Sequence, residues 1–224
     1  MVLANMENTI VNKIGKFLGV EGNFASWFVL IGIITQCLTC YIMGDTLLAL
    51  CSGIAGVISV VLCSQKKYTF YLWGVLQLAT IMIISYQSGL YGKLVENAFY
   101  LITMFVGMLT WKENTTDNTT QVRTMDCVDY VIFGCLFLPF ATILSYSIVS
   151  QYNKGLISLD MVTTVIGILS QIMLILRFRE QWILWFILDV LCIVLWAKDG
   201  NWCLAVQYIF WTINCVYGYK IWKS

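Results

Sequence analysis

Residues 181–198 read QWILWFILDVLCIVLWAK, an apolar run whose single acidic side chain is Asp189. A helix needs about 20 mostly apolar residues to cross the hydrocarbon core of a bilayer, so this run is predicted to span a membrane. At about 1.5 Å per residue, Asp189 lies roughly 12 Å from the start of the helix. A central aspartate costs about 2.5–3.5 kcal/mol to insert, and we therefore expect it to face a partner or a wet cavity.

The composition of the whole chain also indicates a membrane protein. Its 224 residues are 60% hydrophobic and 11% charged, against about a quarter charged in ordinary globular domains. The net charge of +1 argues against a nucleic-acid partner, which would require a clustered Lys/Arg excess. The sequence contains no histidine, no enzyme signature and no phosphate-binding glycine loop. We therefore expect neither an enzyme nor a resident metal or cofactor.

The chain carries nine cysteines, most of them inside apolar runs. Cys37 and Cys40 have the spacing of a redox or metal pair, but no second pair or basic neighbour accompanies them. We interpret the cysteines as small buried hydrophobic residues.

Eight segments share the apolar character of a membrane span: 26–43, 46–63, 69–87, 93–111, 128–149, 160–177, 181–198 and 202–220. Residues 1–25 contain an amphipathic piece typical of an interfacial helix, and residues 113–127 form the longest loop. Ten of the 13 Lys and Arg residues fall on one side of the predicted topology. By the positive-inside rule, both termini and the 113–127 loop face the cytoplasm.

The chain matches itself at a spacing of 111 residues without a gap. The coincident pairs are Gly56 with Gly167, Gly89 with Gly200, Gly107 with Gly218, Trp111 with Trp222 and Lys112 with Lys223. The pattern predicts an all-α integral membrane protein with a 3+1+3 arrangement: a three-helix repeat over 46–112, a linker helix over 128–149 and a second repeat over 160–224. A single linker helix makes the repeats parallel, a transporter architecture that holds substrate at the repeat interface. The segment 26–43 is then an extra span.

Trp182, Trp185 and Asp189 form the first candidate site. At about 100° per residue they share one sector of the helix about 80° wide. Two indole rings and a carboxylate suit a flat and cationic ligand, through stacking, cation–π attraction and hydrogen bonding. Two alternatives remain open: Trp182 belongs to the aromatic belt at the membrane edge, or Asp189 makes a structural hydrogen bond to another helix.

A second polar stripe follows the last helix at spacings of 4, 3 and 4, through Gln207, Trp211, Asn214 and Gly218. Its counterparts one repeat earlier are Glu96, Tyr100, Thr103 and Gly107. Plain helix packing is the alternative for such stripes. Further candidates are Gln77, Ser170 and Gln171. Because Gly74 stands where the second repeat has Trp185, we also expect the first repeat to leave room for a ligand.

The motif Trp182-x-x-Trp185-x-x-x-Asp189 resembles the Trp-x-x-Trp-x-x-x-Asn/Asp signature of the PnuC-type nicotinamide riboside transporters, which are related in fold to the SWEET sugar transporters. Gly107-x-x-x-Trp111 and Tyr217-Gly218-Tyr219-x-x-Trp222 are also similar to that family. The resemblance covers about residues 46–224, and the double-tryptophan motif is its most specific part.

The resemblance implies a 3+1+3 fold, import of nicotinamide riboside by facilitated diffusion with alternating access, and frequently a homotrimer in the cytoplasmic membrane. Trp182, Trp185 and Asp189 would bind substrate, and Gln77 stands near a family asparagine. The span 26–43 departs from the pattern. Importers of thiamine or riboflavin, and a substrate-binding subunit that needs an energising partner, are the alternatives.

Overall fold

The computed structural model describes residues 11–44, 46–87, 91–135, 155–199 and 202–223. Its seven named helices are α1 (Asn23–Met43), α2 (Leu47–Ser64), α3 (Phe70–Gln87), α4 (Tyr91–Glu113), α5 (Gly155–Ile175), α6 (Gln181–Asp199) and α7 (Trp202–Lys223). Residues 11–17 and 127–135 are also helical. The mostly helical architecture predicted from the sequence is confirmed. The remainder of the predicted linker helix, 136–149, lies outside the described residues.

One short hairpin departs from the all-α expectation. Strands β1 (Thr115–Thr116) and β2 (Thr119–Thr120) pair antiparallel, with Thr115 opposite Thr120. The two connecting residues, Asp117 and Asn118, have φ values of 49° and 60°. Two-residue turns with positive φ match the twist of a hairpin, and Asp and Asn tolerate them. Residues 115–120 of the longest predicted loop therefore form an ordered hairpin.

Two of the described helices, α1 and α2, are long and apolar enough to cross a membrane. The apolar parts of three others, Phe70–Ile84, Val162–Ile175 and Gln181–Leu195, are shorter. Many large hydrophobic side chains on the helices are exposed, among them Ile31, Leu38 and Ile102. Apolar surface outside and polar residues inside is the arrangement that suits a hydrocarbon surrounding.

The described residues form two compact units, one up to Thr120 and the other Gln121–Lys223. In the first unit, α1 packs on α2 through small residues. A Cβ added to Gly32 would lie 2.7 Å from Cγ1 of Val57, and one added to Gly53 would lie 2.5 Å from Oε1 of Gln36. Such close approach through glycine is typical of helix packing in membranes.

The segment that precedes α1 is tied to the turn that follows α2. Nζ of Lys67 pairs with Glu21 and also donates to the carbonyl oxygen of Gly19 at 2.8 Å. The N–H of Glu21 donates to Oε1 of Gln65 at 3.0 Å. The helical residues 11–17 leave Lys16 and Phe17 exposed, with Phe17 90% accessible. The first unit is thus closed at one end by polar contacts to its own N-terminal segment.

In the second unit, backbone bonds fix the point at which α6 begins. The N–H of Arg123 donates to the carbonyl of Arg177, and the N–H of Arg179 donates to the carbonyl of Arg123, both at 2.8 Å. Oε2 of the buried Glu180 accepts the N–H of Met125 at 3.1 Å. The segment after the hairpin therefore anchors the residues that lead into the tryptophan helix.

The 111-residue repeat reappears as the same local structure in both units. Lys66 and Arg177 both adopt the left-handed conformation, with φ values of 61° and 64°. The carbonyl of Lys66 accepts an N–H from Thr120, and that of Arg177 accepts one from Arg123, each at 2.8 Å. The left-handed backbone conformation is disfavoured for residues other than glycine. Its occurrence at two equivalent positions indicates that the turn itself is repeated, and that the sequence match is not a coincidence.

The aromatic packing repeats as well. In the first unit, Tyr71 lies directly over Gly107 and edge-on to Trp111, with ring centroids 5.7 Å apart. In the second unit, Trp182 lies over Gly218 and edge-on to Trp222 at 5.5 Å. Each glycine removes the side chain that would otherwise block the ring.

We expect Gly218→Ala to destabilise the protein, because its Cβ would lie 2.6 Å from Cε2 of Trp182. Overpacking of this kind costs about 1–3 kcal/mol. The measurement is the apparent melting temperature of the purified protein in detergent. Gly134→Ala is the matched control, since nothing lies within 4 Å of its added Cβ. Equal melting temperatures for the two variants would contradict the packing argument.

Candidate functional site

Asp189 lies on α6 and is only 2% exposed. Its Oδ2 accepts a hydrogen bond from the thiol of Cys215 on α7, with sulfur and oxygen 3.3 Å apart. No other side chain of the described residues donates to this carboxylate. The sequence predicted that a membrane aspartate would face a partner or a cavity, and a partner is present. A single weak donor leaves most of the carboxylate's hydrogen-bonding capacity unused, because an ionised carboxylate has about four acceptor sites.

The two tryptophans of α6 differ in their surroundings. Trp182 is 5% exposed, and its ring is held between Gly218 and Trp222 of α7. Trp185 is only half-buried, and no aromatic ring of the described residues lies against it. Packing within the unit accounts for the burial of Trp182 without a ligand. Trp185 is the indole that remains available for stacking, while substrate contact by Trp182 stays a prediction.

The stripe on α7 turns largely inward. Asn214 is 1% exposed and Gln207 is 6% exposed, which places two amides in the interior of the second unit. Trp211 is half-buried and packs edge-on against Tyr208, with centroids 4.9 Å apart. Its indole N–H is buried and has no acceptor among the described residues. Buried donors normally have partners, so an unused indole N–H beside a face with two amides suits a ligand that carries acceptors.

Helix α5 presents the last two candidates of the second unit. Ser170 is fully buried, and its hydroxyl donates to the carbonyl of Ile166 in the same helix at 2.7 Å. Gln171 is 2% exposed. The hydroxyl of Ser170 is therefore engaged locally, and the role of both residues in binding stays a prediction.

The candidates in the first unit lie on α3 and α4. Gln77 and Tyr100 are both half-buried. The backbone carbonyl of Gln77 accepts hydrogen bonds from the hydroxyl of Ser52 at 3.5 Å and from that of Thr80 at 2.8 Å. Because these bonds involve only the backbone, ligand binding by the side-chain amide of Gln77 stays a prediction. Glu96 belongs to α4, but its side chain lies outside the described residues.

The expectation that Gly74 leaves room for a ligand is wrong. A Cβ at Gly74 would lie 2.7 Å from Cε and 3.0 Å from Sδ of Met104, and 3.2 Å from Oγ of Ser59. The volume that Trp185 occupies in the second repeat is thus filled by a flexible thioether in the first. Methionine fills irregular gaps well because it is unbranched and polarisable.

The uniform interpretation of the cysteines is also wrong. Of the eight described, only Cys63, Cys192 and Cys215 are buried, while Cys37, Cys51, Cys127 and Cys135 are exposed. Cys215 makes the hydrogen bond to Asp189, a role that the sequence analysis did not predict. The sequence did contain one signal: Cys215 directly follows Asn214 of the polar stripe.

Sequence reasoning also missed Gln181, the first residue of α6. It is fully buried, and neither its amide nitrogen nor its amide oxygen has a partner among the described residues. The adjacent indole N–H of Trp182 is likewise buried without an acceptor. In the sequence, Gln181 stands between a charged loop and an apolar run. This pattern is that of an ordinary helix start, so it did not mark Gln181 as a candidate.

Comparison with known families gives a match over residues 46–224 to the family described as nicotinamide mononucleotide transporter. The match begins at the residue before α2, so α1 lies outside it. A protein from Haemophilus influenzae named nicotinamide riboside transporter PnuC is 31% identical over 185 residues, which cover 80% of this chain and 80% of that protein. The protein of the same name from Neisseria mucosa is 30% identical over 192 residues, covering 80% and 73%.

A solved structure agrees with the sequence comparisons. The crystal structure of the vitamin B3 transporter PnuC superimposes with a TM-score of 0.77 at 26% identity, and the alignment covers 92% of each chain. Agreement over almost the full length indicates a shared fold rather than a shared motif.

Proposed function

Because the chain belongs to the nicotinamide mononucleotide transporter family, we propose that it imports nicotinamide riboside by facilitated diffusion. As a member of a transporter family it is a membrane protein and not an enzyme. The relatives from Haemophilus influenzae and Neisseria mucosa are both named for nicotinamide riboside.

The buried carboxylate of Asp189 is the observation that favours the nucleoside over the nucleotide. Nicotinamide riboside has a cationic pyridinium ring and an uncharged ribose, whereas the mononucleotide adds a phosphate. A buried carboxylate attracts the ring and repels a phosphate, since charges interact strongly where water is excluded. The described lysines of α6 and α7 are Lys198, Lys220 and Lys223, which lie in the last turns of those helices. A phosphate at the level of Asp189 would therefore lack a cation from these two helices.

In the proposed arrangement, Trp185 stacks on the pyridinium ring and Asp189 accepts hydrogen bonds from the ligand. The amides of Gln207 and Asn214 and the indole N–H of Trp211 bind the ribose or the carboxamide. Trp182 packs on Gly218 and in this way holds α6 and α7 together beside these residues. Gln77, Glu96, Tyr100, Ser170 and Gln171 complete the set of candidates with weaker support.

The remaining expectations concern the setting of the transporter. The proposed topology is 3+1+3 with α1 as an extra span, both termini and the 113–127 loop in the cytoplasm, and a location in the cytoplasmic membrane. Alternating access would expose the ligand to each side in turn, and resemblance to the family favours a homotrimer. The sequence of α6 and α7 contains one carboxylate besides Asp189, which is Asp199 at the end of α6, and the absence of an acidic pair near Asp189 in this sequence supports uniport rather than ion coupling.

The test is calorimetric titration of the purified protein with nicotinamide riboside, nicotinamide mononucleotide, thiamine and riboflavin. We expect nicotinamide riboside to bind and the mononucleotide to bind much more weakly. Preferential binding of thiamine or riboflavin would change the assigned substrate but not the assigned fold. Absence of binding by all four would overturn the proposal.

Uptake separates a transporter from a substrate-binding subunit that needs an energising partner. We expect liposomes that contain only this purified chain to accumulate labelled nicotinamide riboside until the two sides are equal. Uptake that requires a second protein would support the subunit instead.

A further inference from the structure

We propose that Cys215 is a positioning residue for Asp189: its thiol holds one carboxylate oxygen so that the other is presented to the substrate. The proposal rests on the function proposed above and adds a residue that touches the carboxylate without touching the ligand. Its starting point is the hydrogen bond between α6 and α7.

The geometry fits a hydrogen bond rather than incidental packing. The sulfur lies 3.3 Å from Oδ2, and the two residues are 4% and 2% exposed. A thiol is a weak donor in general, and a carboxyl oxygen is a good acceptor for it. In an interior of low dielectric that bond is stronger than it would be in water. The thiol is thus well placed to fix the rotation of the carboxylate.

The internal repeat supplies independent support. At the positions 111 residues earlier, Leu78 stands for Asp189 and Met104 stands for Cys215. Leu78 is buried, and the end of Met104 covers Gly74. Both members of the pair are therefore apolar in the first repeat and both are polar in the second. The packing of an aromatic ring on glycine is the same in both repeats. The thiol and the carboxylate are therefore present together in one repeat and absent together from the other.

Fixing the carboxylate matters because of what binding costs. A side chain that must be ordered when the ligand arrives loses conformational freedom at that moment, and preorganisation removes this cost. With Oδ2 already occupied by the thiol, no other described side chain donates to the remaining acceptor sites of the carboxylate. Those sites face no competition when a ribose hydroxyl or the pyridinium ring approaches.

The test compares two substitutions at one position. Cys215→Ala removes the donor, and we expect nicotinamide riboside to bind about five- to tenfold more weakly by calorimetry. Cys215→Ser keeps a donor, and we expect its affinity to stay within about twofold of wild type. A residue that only fills space would give equal affinities for the two variants, and Cys215→Ser would then be the less stable one, because a hydroxyl buried among apolar groups is less well tolerated than a methyl group.

Cys63→Ala is the matched control, since Cys63 is a thiol of the first unit that is 5% exposed. We expect that substitution to lower the melting temperature and leave the affinity unchanged. If Cys215→Ala does not fold, Cys215→Val, which also lacks a donor, takes its place. Equal affinities for the serine variant and the donor-free variant would overturn the positioning role. Failure of the wild-type protein itself to bind would instead overturn the proposed function.

Discussion

Trp185→Ala is expected to abolish detectable binding of nicotinamide riboside while the melting temperature changes little. Trp185 is half-buried, so its removal costs less stability than the truncation of a fully buried tryptophan. A cation over a desolvated indole contributes about 2 kcal/mol or more, and the stacked surface adds to this. We therefore expect at least about a hundredfold loss of affinity. Calorimetry and thermal unfolding of the same preparation measure the two effects.

Trp182→Ala is the comparison, and its largest expected effect is on stability rather than on affinity. Truncating a buried tryptophan costs about 3–5 kcal/mol of stability, and Trp182 fills the space between Gly218 and Trp222. Trp182→Phe keeps an aromatic ring over Gly218 and should restore most of the stability. Wild-type affinity in Trp185→Ala would show that the ligand stacks elsewhere, and a collapse of stability in that variant would place Trp185 in the core.

Asp189→Leu is the second substitution with a large expected effect: it should remove binding and leave the protein at least as stable as wild type. Leucine is the residue that the first repeat carries at this position, as Leu78. Replacing a buried charged group by a well-packed apolar one is often neutral or stabilising by about 1–4 kcal/mol. Binding is lost because the acceptor for the ligand disappears. Titration with nicotinamide riboside measures the loss, and thermal unfolding measures the stability.

Asp189→Asn separates hydrogen bonding from charge. Asparagine keeps a hydrogen-bond acceptor but loses the charge that attracts the pyridinium ring, so we expect the variant to bind about tenfold or more weakly than wild type. Binding of Asp189→Leu with wild-type affinity would assign Asp189 to helix packing through Cys215 alone. Complete loss in Asp189→Asn would show that the carboxylate charge is indispensable in this protein.

The helices were predictable because a membrane imposes a length on apolar segments. The predicted run 181–198 became Gln181–Asp199, and 46–63 became Leu47–Ser64. The predicted span 93–111 was too short by two residues at each end, since α4 is Tyr91–Glu113. Polar and glycine residues at helix ends do not interrupt backbone hydrogen bonding, although they lower the apolarity by which the span was recognised.

The site was less predictable because it depends on contacts between helices. Trp182 and Trp185 are the same residue type in one sector of one helix, and only Gly218 and Trp222 of α7 distinguish them. The same holds for Cys215, whose hydrogen bond depends on where Asp189 of α6 falls. The prediction of free space at Gly74 was wrong because it considered only the missing side chain of the glycine. The side chain of Met104, on another helix, fills that space.

The contrast between the polar pair Asp189–Cys215 and its apolar equivalents Leu78 and Met104 has an evolutionary consequence. After duplication of a three-helix segment, the two copies could diverge in chemistry while both keep the packing of aromatic rings on glycine. Selection for a new vitamin would then act most strongly on the α6–α7 hairpin, provided that the packing of aromatic rings on glycine is kept in both copies. Paralogues that carry different cargo should accordingly differ most within that hairpin.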